Sequence, residues 1–437
     1  MHSRISPPAW TLLITLLAVV LLNGALVAGM TAFGVRAGQA LHQTAPGRSQ
    51  ALINPAGNDS WKPMARAQRA FQEEPDASLY RVFFEDRIKF QYPPSALFVL
   101  DLFPERWFDG PDSLQPSSRM NQLLTWASRI AVALTLLLCV LLYEKQQNST
   151  PRDRLIIVAC SVLLGAMFYP IVRAHILGQI QIFIDCLIAA ALLAYLTGWR
   201  AVSGACVGVC CLIKPQYGLL LLWGLLRRDW RFGLGLVAVA GAGFAAALIR
   251  YGLANHLEYL KVLRFIAQHG EAYWPNQSVN GVLNRLLNNG DALHFDRYSF
   301  PPYHPVVYFG TLLSSIAILT VALWPTRGRR VDALDLAIAL LAATLAAPVA
   351  WEHHYGILLS IFALTTPAVL RTPTSKLRGL LLLASYLMVA NALLRPAWLL
   401  ADPVRELLAS HLFFGALLLF GIIVSARSRS QPVPATH

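Results

Sequence analysis

The stretch that decides the fold is AVSGACVGVCCLIKPQYGLLLLWGLL, residues 201–226, which lies between Arg200 and Arg227. Its one charged residue, Lys214, stands near the middle and is followed by Pro215. An apolar run of this length is long enough to cross a bilayer, for which a helix needs about 20 residues. Because proline removes a backbone donor and breaks helices, the run is predicted to be a hairpin of two shorter helices with Lys214 near its outer tip. A single tilted span is the alternative.

The same apolar character extends over the rest of the chain. Of its 437 residues, 56% are hydrophobic and only 14% are charged, whereas a soluble globular chain carries about 25% charged residues. The mean hydropathy is +0.50. A chain of this length accommodates about ten membrane spans with short connections. We therefore expect residues 1–437 to form a single integral membrane domain of the all-α, polytopic class, without a soluble domain.

The formal net charge of +13 indicates membrane topology rather than a nucleic-acid partner. A nucleic-acid-binding domain gathers its lysines and arginines on one surface, but here they stand at the ends of apolar runs. That is where the positive-inside rule places them in an inner membrane protein. Arg4 precedes the first run, so we expect the N-terminus in the cytoplasm. The single-span alternative for residues 201–226 would leave a basic cluster outside, either that at 227–231 or that at 327–330.

Alternation of the basic clusters gives ten predicted spans besides the hairpin. The first run, 10–33, is longer than a signal-peptide core, so we expect it to be retained as a span. The long connections 34–121 and 251–302 are expected outside the cytoplasm. Within the first connection, the polar stretch 34–91 is followed by an apolar piece, 95–103, that is too short to cross and is expected to be re-entrant or interfacial. The predicted spans are 10–33, 122–143, 155–172, 180–197, 232–250, 304–324, 333–350, 356–370, 378–394 and 410–425.

The cysteines and the motifs give no sign of a cofactor. All six cysteines lie in apolar stretches, and their spacing offers neither a disulfide framework nor a zinc site. The adjacent His353 and His354 do not have the HExxH spacing, and the sequence holds no GxxxxGK[ST] phosphate loop. No cofactor is therefore predicted, and a requirement for a metal is left open.

This topology places nearly all the unusual polar residues on the outward face. A charge at membrane depth costs about 2.5–3.5 kcal/mol, so such residues tend to face a cavity and to have a function. A carboxylate, histidines and cations around one cavity suit acid–base chemistry on an anionic substrate. The residues are Asp59, Glu85, Asp86, Arg173, His175, Gln179, Lys214, Asn276, Gln277, Ser278, Glu352, His353 and His354. Arg173, His175 and Gln179 are expected in a short turn between two spans.

Five segments, in order and suitably spaced over residues 59–355, resemble glycosyltransferase family 87. These are membrane-embedded mannosyltransferases of the GT-C type that use polyprenyl-phosphate-linked sugars. The last spans carry no distinctive match. The segments are FQYPP at 90–94, LGQIQ at 177–181, LIKP at 212–215, NQSVNG at 276–281 with Arg285, and APVAWEHH at 347–354.

The resemblance implies a GT-C-like bundle and an inverting transfer without a bound nucleotide. In that family the catalytic base is an aspartate in the first outer loop, and Asp59 fits by position. The family usually places an aromatic residue a few positions after the aspartate, and here Trp61 stands at that place. Because this match is imperfect, Glu85 or Asp86 remains an alternative base.

The resemblance also implies the partners and the location of the protein. The donor is a polyprenyl-phosphate sugar, with mannose expected, and the acceptor is a lipid or a glycan. The site would face outward from the bacterial inner membrane. Lys214, Arg173 and His175 would stabilise the departing polyprenyl phosphate. The other residues expected to bind substrate are Gln179, Asn276, Gln277, Glu352, His353 and His354.

A transporter or lipid flippase is the rival function. Such proteins often have two similar halves with broken helices at corresponding places. The sequence offers one proline-interrupted hairpin and no counterpart in the other half. The outer connections are also long for a carrier. An assembly factor without chemistry would not require polar residues to gather on one face.

The topology can be tested by labelling single cysteines in a cysteine-free background. A cysteine near residue 60, and another near residue 285, should react with a membrane-impermeant maleimide in intact spheroplasts, because both connections are expected outside. Labelling near residue 60 only after the membrane is permeabilised would contradict the topology.

Overall fold

The fold is described from a computed structural model. It describes residues 5–74, 78–103, 115, 118–296, 298–324, 331–371, 375–393 and 404–427. Arg4 and the basic cluster at 327–330 lie outside the described residues, as does the last residue of the predicted span 378–394.

The described residues fold into α-helices joined by turns, short 3₁₀ helices and irregular segments. The helices are α1 (Pro7–Ala32), α2 (Ala37–His42), α3 (Ala45–Ser49), α4 (Trp61–Glu73), α5 (Arg81–Phe84), α6 (Phe98–Asp101), α7 (Arg119–Glu144), α8 (Pro151–Ala166), α9 (Tyr169–Leu177), α10 (Gln181–Leu196), α11 (Arg200–Ile213), α12 (Leu219–Leu226), α13 (Trp230–His269), α14 (Val279–Leu286), α15 (Pro305–Leu323), α16 (Ala333–Leu345), α17 (Leu358–Leu370), α18 (Ser375–Ala390), α19 (Val404–Ala409) and α20 (His411–Arg427).

Side-chain caps fix the start of several helices, because the first backbone N–H groups of a helix have no partner within it. Ser118 Oγ accepts from the N–H of Asn121 at 3.1 Å and begins α7. Thr150 caps α8, whose first residue is proline, the residue that best tolerates that position. Asp332 and Asp335 form a reciprocal capping box at the start of α16.

The helix lengths confirm an all-α polytopic membrane protein. Among the described residues, five helices are long and apolar enough to cross a membrane: α1, α7, α13, α15 and the continuous stretch Glu352–Leu370. The pair α8 and α9, bent by 49°, would make a sixth. The other apolar helices have 10–17 residues, and such helices reach at most about 26 Å, whereas the hydrocarbon core is about 30 Å thick. The total of about ten spans plus a hairpin stays a prediction.

The chain turns back at Lys214. α11 ends at Ile213, Lys214 is extended, and a 3₁₀ turn from Pro215 leads into α12. Arg200 Nη1 lies 2.8 Å from Asp229 Oδ2, so the two ends of the segment meet. A single straight helix over that length would hold them about 40 Å apart. The segment therefore leaves and returns on the same side, which agrees with the hairpin and not with the single tilted span.

Glycines let α11 and α13 pack closely side by side. A Cβ at Gly204 would lie 2.0 Å from the carbonyl oxygen of Phe232, and one at Gly235 would lie 2.0 Å from that of Ala201. Close approach through small residues is typical of helix pairs in membranes. This packing holds the hairpin against the following long helix.

The two regions expected to be long outer connections contain helices and pack on each other. α13 continues to His269 beyond a break at Gly252, whose φ is +74°, although the residues after Gly252 were expected to form an outer connection. Tyr251 donates from its hydroxyl to Asp101 Oδ2 at 2.8 Å, and Asn255 Oδ1 accepts from the N–H of Leu79 at 2.7 Å. We call the side of the bundle where these regions meet the loop side.

Replacing Gly235 or Gly204 by alanine should destabilise the protein. The added methyl group meets a backbone oxygen that cannot move without shifting a helix, and overpacking of this kind costs about 1–3 kcal/mol. The measurement is the thermal unfolding midpoint in detergent. Gly421→Ala is the matched control, because no atom lies within 4 Å of its added Cβ. Equal midpoints for all three variants would contradict the packing argument.

Candidate active site

A backbone contact between Gly57 and Gly178 builds the centre of the site. Gly178 ends α9 in the left-handed region, with φ +68°, and a Cβ there would lie 1.8 Å from Gly57 O. The N–H of Gly57 donates to Ile176 O at 3.1 Å, and the N–H of Asp59 donates to Leu177 O at 2.9 Å. Only glycine tolerates both the conformation and the approach. Asp59 is thereby fixed beside the start of α10.

The Asp59 carboxylate belongs to a hydrogen-bond chain with a defined direction. Gln179 Nε2 donates to Asp59 Oδ2 at 2.5 Å. Ser60 Oγ donates to Gln179 Oε1 at 2.7 Å, so Tyr92, 2.7 Å away, donates to Ser60. Burial raises the pKa of Tyr92, which keeps this phenol protonated as a donor. The chain therefore presents an N–H to Asp59, as suits an ionised carboxylate, whose oxygens only accept. Asp59 itself is exposed.

A second carboxylate and an arginine lie beside Asp59. Glu352 is buried, and its Oε1 accepts from the hydroxyl of Tyr169 at 2.6 Å. Its Oε2 lies 3.4 Å from Arg173 Nε. Arg173 also lies close enough to Asp59 to interact with its charge. The guanidinium is therefore paired with Glu352, interacts with the charge of Asp59 and remains partly exposed.

Lys214 joins the same part of the structure from the tip of the hairpin. Its Nζ donates to Gln181 Oε1 at 2.6 Å, and Gln181 Nε2 donates to Asp185 Oδ1 at 2.8 Å. Gln179 and Gln181 stand two residues apart at the start of α10. The carboxylate of Asp59 and the ammonium of Lys214 are thus attached to neighbouring points of one helix end.

His175, which was expected to supply a cation to the site, lies in packed surroundings. It lies within α9 rather than in a turn and is fully buried. Its Nδ1 is 2.8 Å from Ser128 Oγ, and its Nε2 is 3.1 Å from Asn54 O. Both ring nitrogens are engaged, so neither can reach a phosphate.

Asn276 and Gln277 also hold the scaffold together. Asn276 Nδ2 donates to Glu271 O at 2.9 Å, and its Oδ1 accepts from the N–H of Ala350 at 3.0 Å. Gln277 Nε2 donates to Ala409 O at 2.7 Å. Both side chains are fully buried. They tie the segment before α14 to the turn before α17 and to α19, and their amides have no group left for a substrate.

The remaining candidates fall into two groups. His353 is buried, His354 is partly exposed, and their rings pack edge to face 4.7 Å apart. His353 lies near both Arg173 and Lys214. Glu85 and Asp86 are exposed and stand beside Arg81 instead, with Glu85 Oε2 4.0 Å from its Nε. Among the described residues, no three histidine, cysteine or acidic side chains gather as metal ligands.

The sequence did not reveal the positioning residues. Ser60, Tyr169 and Gln181 support the charged groups, yet a serine, a tyrosine or a glutamine at a helix end carries no distinctive pattern. The one available signal was the pair Gln179 and Gln181, spaced so that both amides stand at the start of one helix.

Comparison with known proteins places the chain in a family. Residues 90–351 match the model of glycosyltransferase family 87. The chain belongs to this family. The resemblance found in the sequence is therefore confirmed, and membership agrees with the expected enzyme class. Asp59 and the stretch from Glu352 to His354 lie outside the matched residues, so the argument for their roles rests on their geometry.

One relative is the polyprenol-phosphate-mannose-dependent alpha-(1-2)-phosphatidylinositol mannoside mannosyltransferase of Mycolicibacterium smegmatis. It is 25% identical to this chain over 297 residues. The alignment covers 64% of this chain and 62% of the relative, so the chain spans slightly less than two thirds of the relative's length.

Proposed function

We propose that this protein is a membrane glycosyltransferase that moves a sugar from a polyprenyl-phosphate donor to a lipid or glycan acceptor, with inversion. The observation that carries the proposal is the arrangement at the start of α10, where Gln179 holds the Asp59 carboxylate and Gln181 holds the Lys214 ammonium. A base and a phosphate-binding cation at neighbouring points are what such a transfer requires.

Asp59 acts as the general base. Its carboxylate takes the proton from the acceptor hydroxyl while the hydroxyl oxygen forms a bond to the anomeric carbon. The bond between that carbon and the phosphate oxygen breaks on the opposite face, so a single displacement inverts the configuration. The N–H from Gln179 donates to Oδ2 and holds the carboxylate in place. Exposure of Asp59 admits the acceptor.

Arg173 and Lys214 stabilise the leaving group. The polyprenyl phosphate gains negative charge as the sugar departs, and fixed cations lower the energy of that charge most where water is scarce. Lys214 gives one of its three donors to Gln181, and the other two are directed to the phosphate. Glu352 and Tyr169 keep the guanidinium of Arg173 in place.

The donor is expected to carry mannose, as the name of the mycobacterial relative says of that protein. The basic residues that cap the bundle on the side opposite to the loop side, such as Arg200 and Arg427, support a cytoplasmic location of that side under the positive-inside rule. The active site would then face outward from the bacterial inner membrane. Family membership favours transfer over the rival transport function.

Asp59→Asn should reduce transfer by about 10²–10⁴-fold, because the amide keeps the shape but cannot take the proton. The assay incubates the purified protein with several polyprenyl-phosphate sugars and follows the release of polyprenyl phosphate. Glu85→Gln and Asp86→Asn are the matched controls and should retain wild-type turnover. Wild-type turnover in Asp59→Asn, together with loss of turnover in Glu85→Gln or Asp86→Asn, would show that the residue changed in that control is the base.

Lys214→Met should impair donor binding and turnover more than acceptor binding. An ammonium is a compact point charge suited to phosphate, and methionine keeps the length without the charge. Lys214→Arg should rescue only in part, because a larger planar group must fit the same place. Kinetics at varied donor concentration decide between this role and a lysine that merely reaches the membrane surface. Unchanged donor dependence in Lys214→Met would exclude the phosphate role.

A further inference from the structure

Asp185 is a buried carboxylate that the mechanism above does not use. It lies in the first half of α10, with 1% of its surface exposed, in a helix whose other residues after Gln181 are almost all apolar. Burying a carboxylate is costly unless it is paired or hydrogen-bonded. Its Oδ1 accepts from Gln181, one turn earlier, but its Oδ2 has no hydrogen-bond partner among the described residues. Because the burial of this carboxylate is costly, we expect it to have a function.

The amide of Gln181 has one possible orientation between its two neighbours. Lys214 Nζ carries only donors and lies 2.6 Å from Oε1, while the Asp185 carboxylate lies 2.8 Å from Nε2. The reverse orientation would set an NH₂ group against the ammonium and a carbonyl oxygen against the carboxylate. The acceptor oxygen of Asp185 therefore fixes the amide, and the amide fixes the ammonium.

The backbone of Gly356 closes the other side of Asp185. A Cβ on Gly356 would lie 2.0 Å from Asp185 Oδ2 and 2.8 Å from its Oδ1. Gly356 follows the turn that carries His353 and His354, so the carboxylate also sets the distance between α10 and that turn. Any side chain at position 356 would displace the carboxylate from Gln181.

We propose that Asp185 is a positioning residue that orients and charges Lys214 through Gln181 for binding of the donor phosphate. The three side chains form a linear relay in which an acid at one end and an ammonium at the other polarise the amide between them. Without the acid, the lysine is a flexible side chain with four rotatable bonds at the tip of a hairpin. The inference rests on the proposed function, because it needs Lys214 to meet the phosphate.

A test by pH must account for every group that faces Lys214. In the described part of the chain these are Asp185 from α10, Cys210 from α11, and His353 and His354 from the turn before α17. Both histidines oppose a charge on the lysine and Asp185 favours it. Removing the carboxylate charge should therefore let the ammonium lose its proton at lower pH.

The decisive variant is Asp185→Asn, which keeps the shape and an acceptor for Gln181 but removes the charge. The alkaline limb of kcat/KM for the donor should move to lower pH by about one unit, the lower end of the effect of an opposite charge, while the KM for the acceptor is unchanged. Gly356→Ala should shift the limb in the same direction by displacing the carboxylate. In an Asp185→Asn, Lys214→Arg double variant the shift should vanish, because a guanidinium stays charged.

Asp335→Asn is the matched control. Asp335 is equally buried and lies 2.7 Å from Arg427 Nε, far from the loop side. Its replacement should lower the thermal midpoint without moving the alkaline limb. If Asp185 had only a structural role, Asp185→Asn would likewise lower the thermal midpoint and leave the alkaline limb in place. An unmoved alkaline limb in a folded Asp185→Asn variant therefore overturns the proposal.

A second readout does not depend on turnover. The thermal shift that undecaprenyl phosphate produces in nanodiscs should weaken in Asp185→Asn at pH values above its shifted limb and persist at pH values below it. If the wild type releases no polyprenyl phosphate from any donor, the proposed function fails. If the wild type and Lys214→Met behave as proposed but the thermal shift and the limb are unchanged in Asp185→Asn, only the relay fails.

Discussion

The contact between Gly57 and Gly178 is the constraint on which the site depends. Two backbone segments far apart in the sequence meet without side chains between them, and the N–H groups of residues 57 and 59 bind the last carbonyls of α9. Those carbonyls would otherwise lack partners at a helix end. The same bonds that complete the helix therefore place the Asp59 carboxylate at the start of the next helix.

From that junction, α10 organises the charges of the site. Gln179 and Gln181 are neutral, yet each is hydrogen-bonded to a charged group. Their amides therefore orient the charged side chains without adding charge. Fixed dipoles of this kind need no reorganisation during a reaction, which is how preorganised sites stabilise developing charge. Arg173, on the preceding helix, completes the arrangement because the left-handed turn at Gly178 brings α9 and α10 together.

A buried hydrogen-bonded scaffold supports the other wall. Asn276 binds the backbone just before the turn that carries Glu352, and Gln277 binds the backbone of α19. Arg285 Nη1 adds a bond to Asn276 O at 3.0 Å. Hydrogen-bonded polar networks in a low-dielectric interior make the surrounding structure rigid. Asn276 and Gln277 therefore hold the wall beside Glu352 in place.

The sequence by itself determined the all-α polytopic class, the family, the reversal at Lys214-Pro215 and the candidate carboxylate Asp59. These follow from hydropathy, from proline chemistry and from local motifs, which need no knowledge of neighbours. Only the tertiary structure decided which polar residues face the site. His175, Asn276 and Gln277 have the same chemistry as residues that bind ligands, and their burial depends on partners such as Ser128, Ala350 and Ala409, which are remote in the chain. The helical continuation of α13 was likewise hidden, because the contact of its buried residues with the first connection is one that no local pattern specifies.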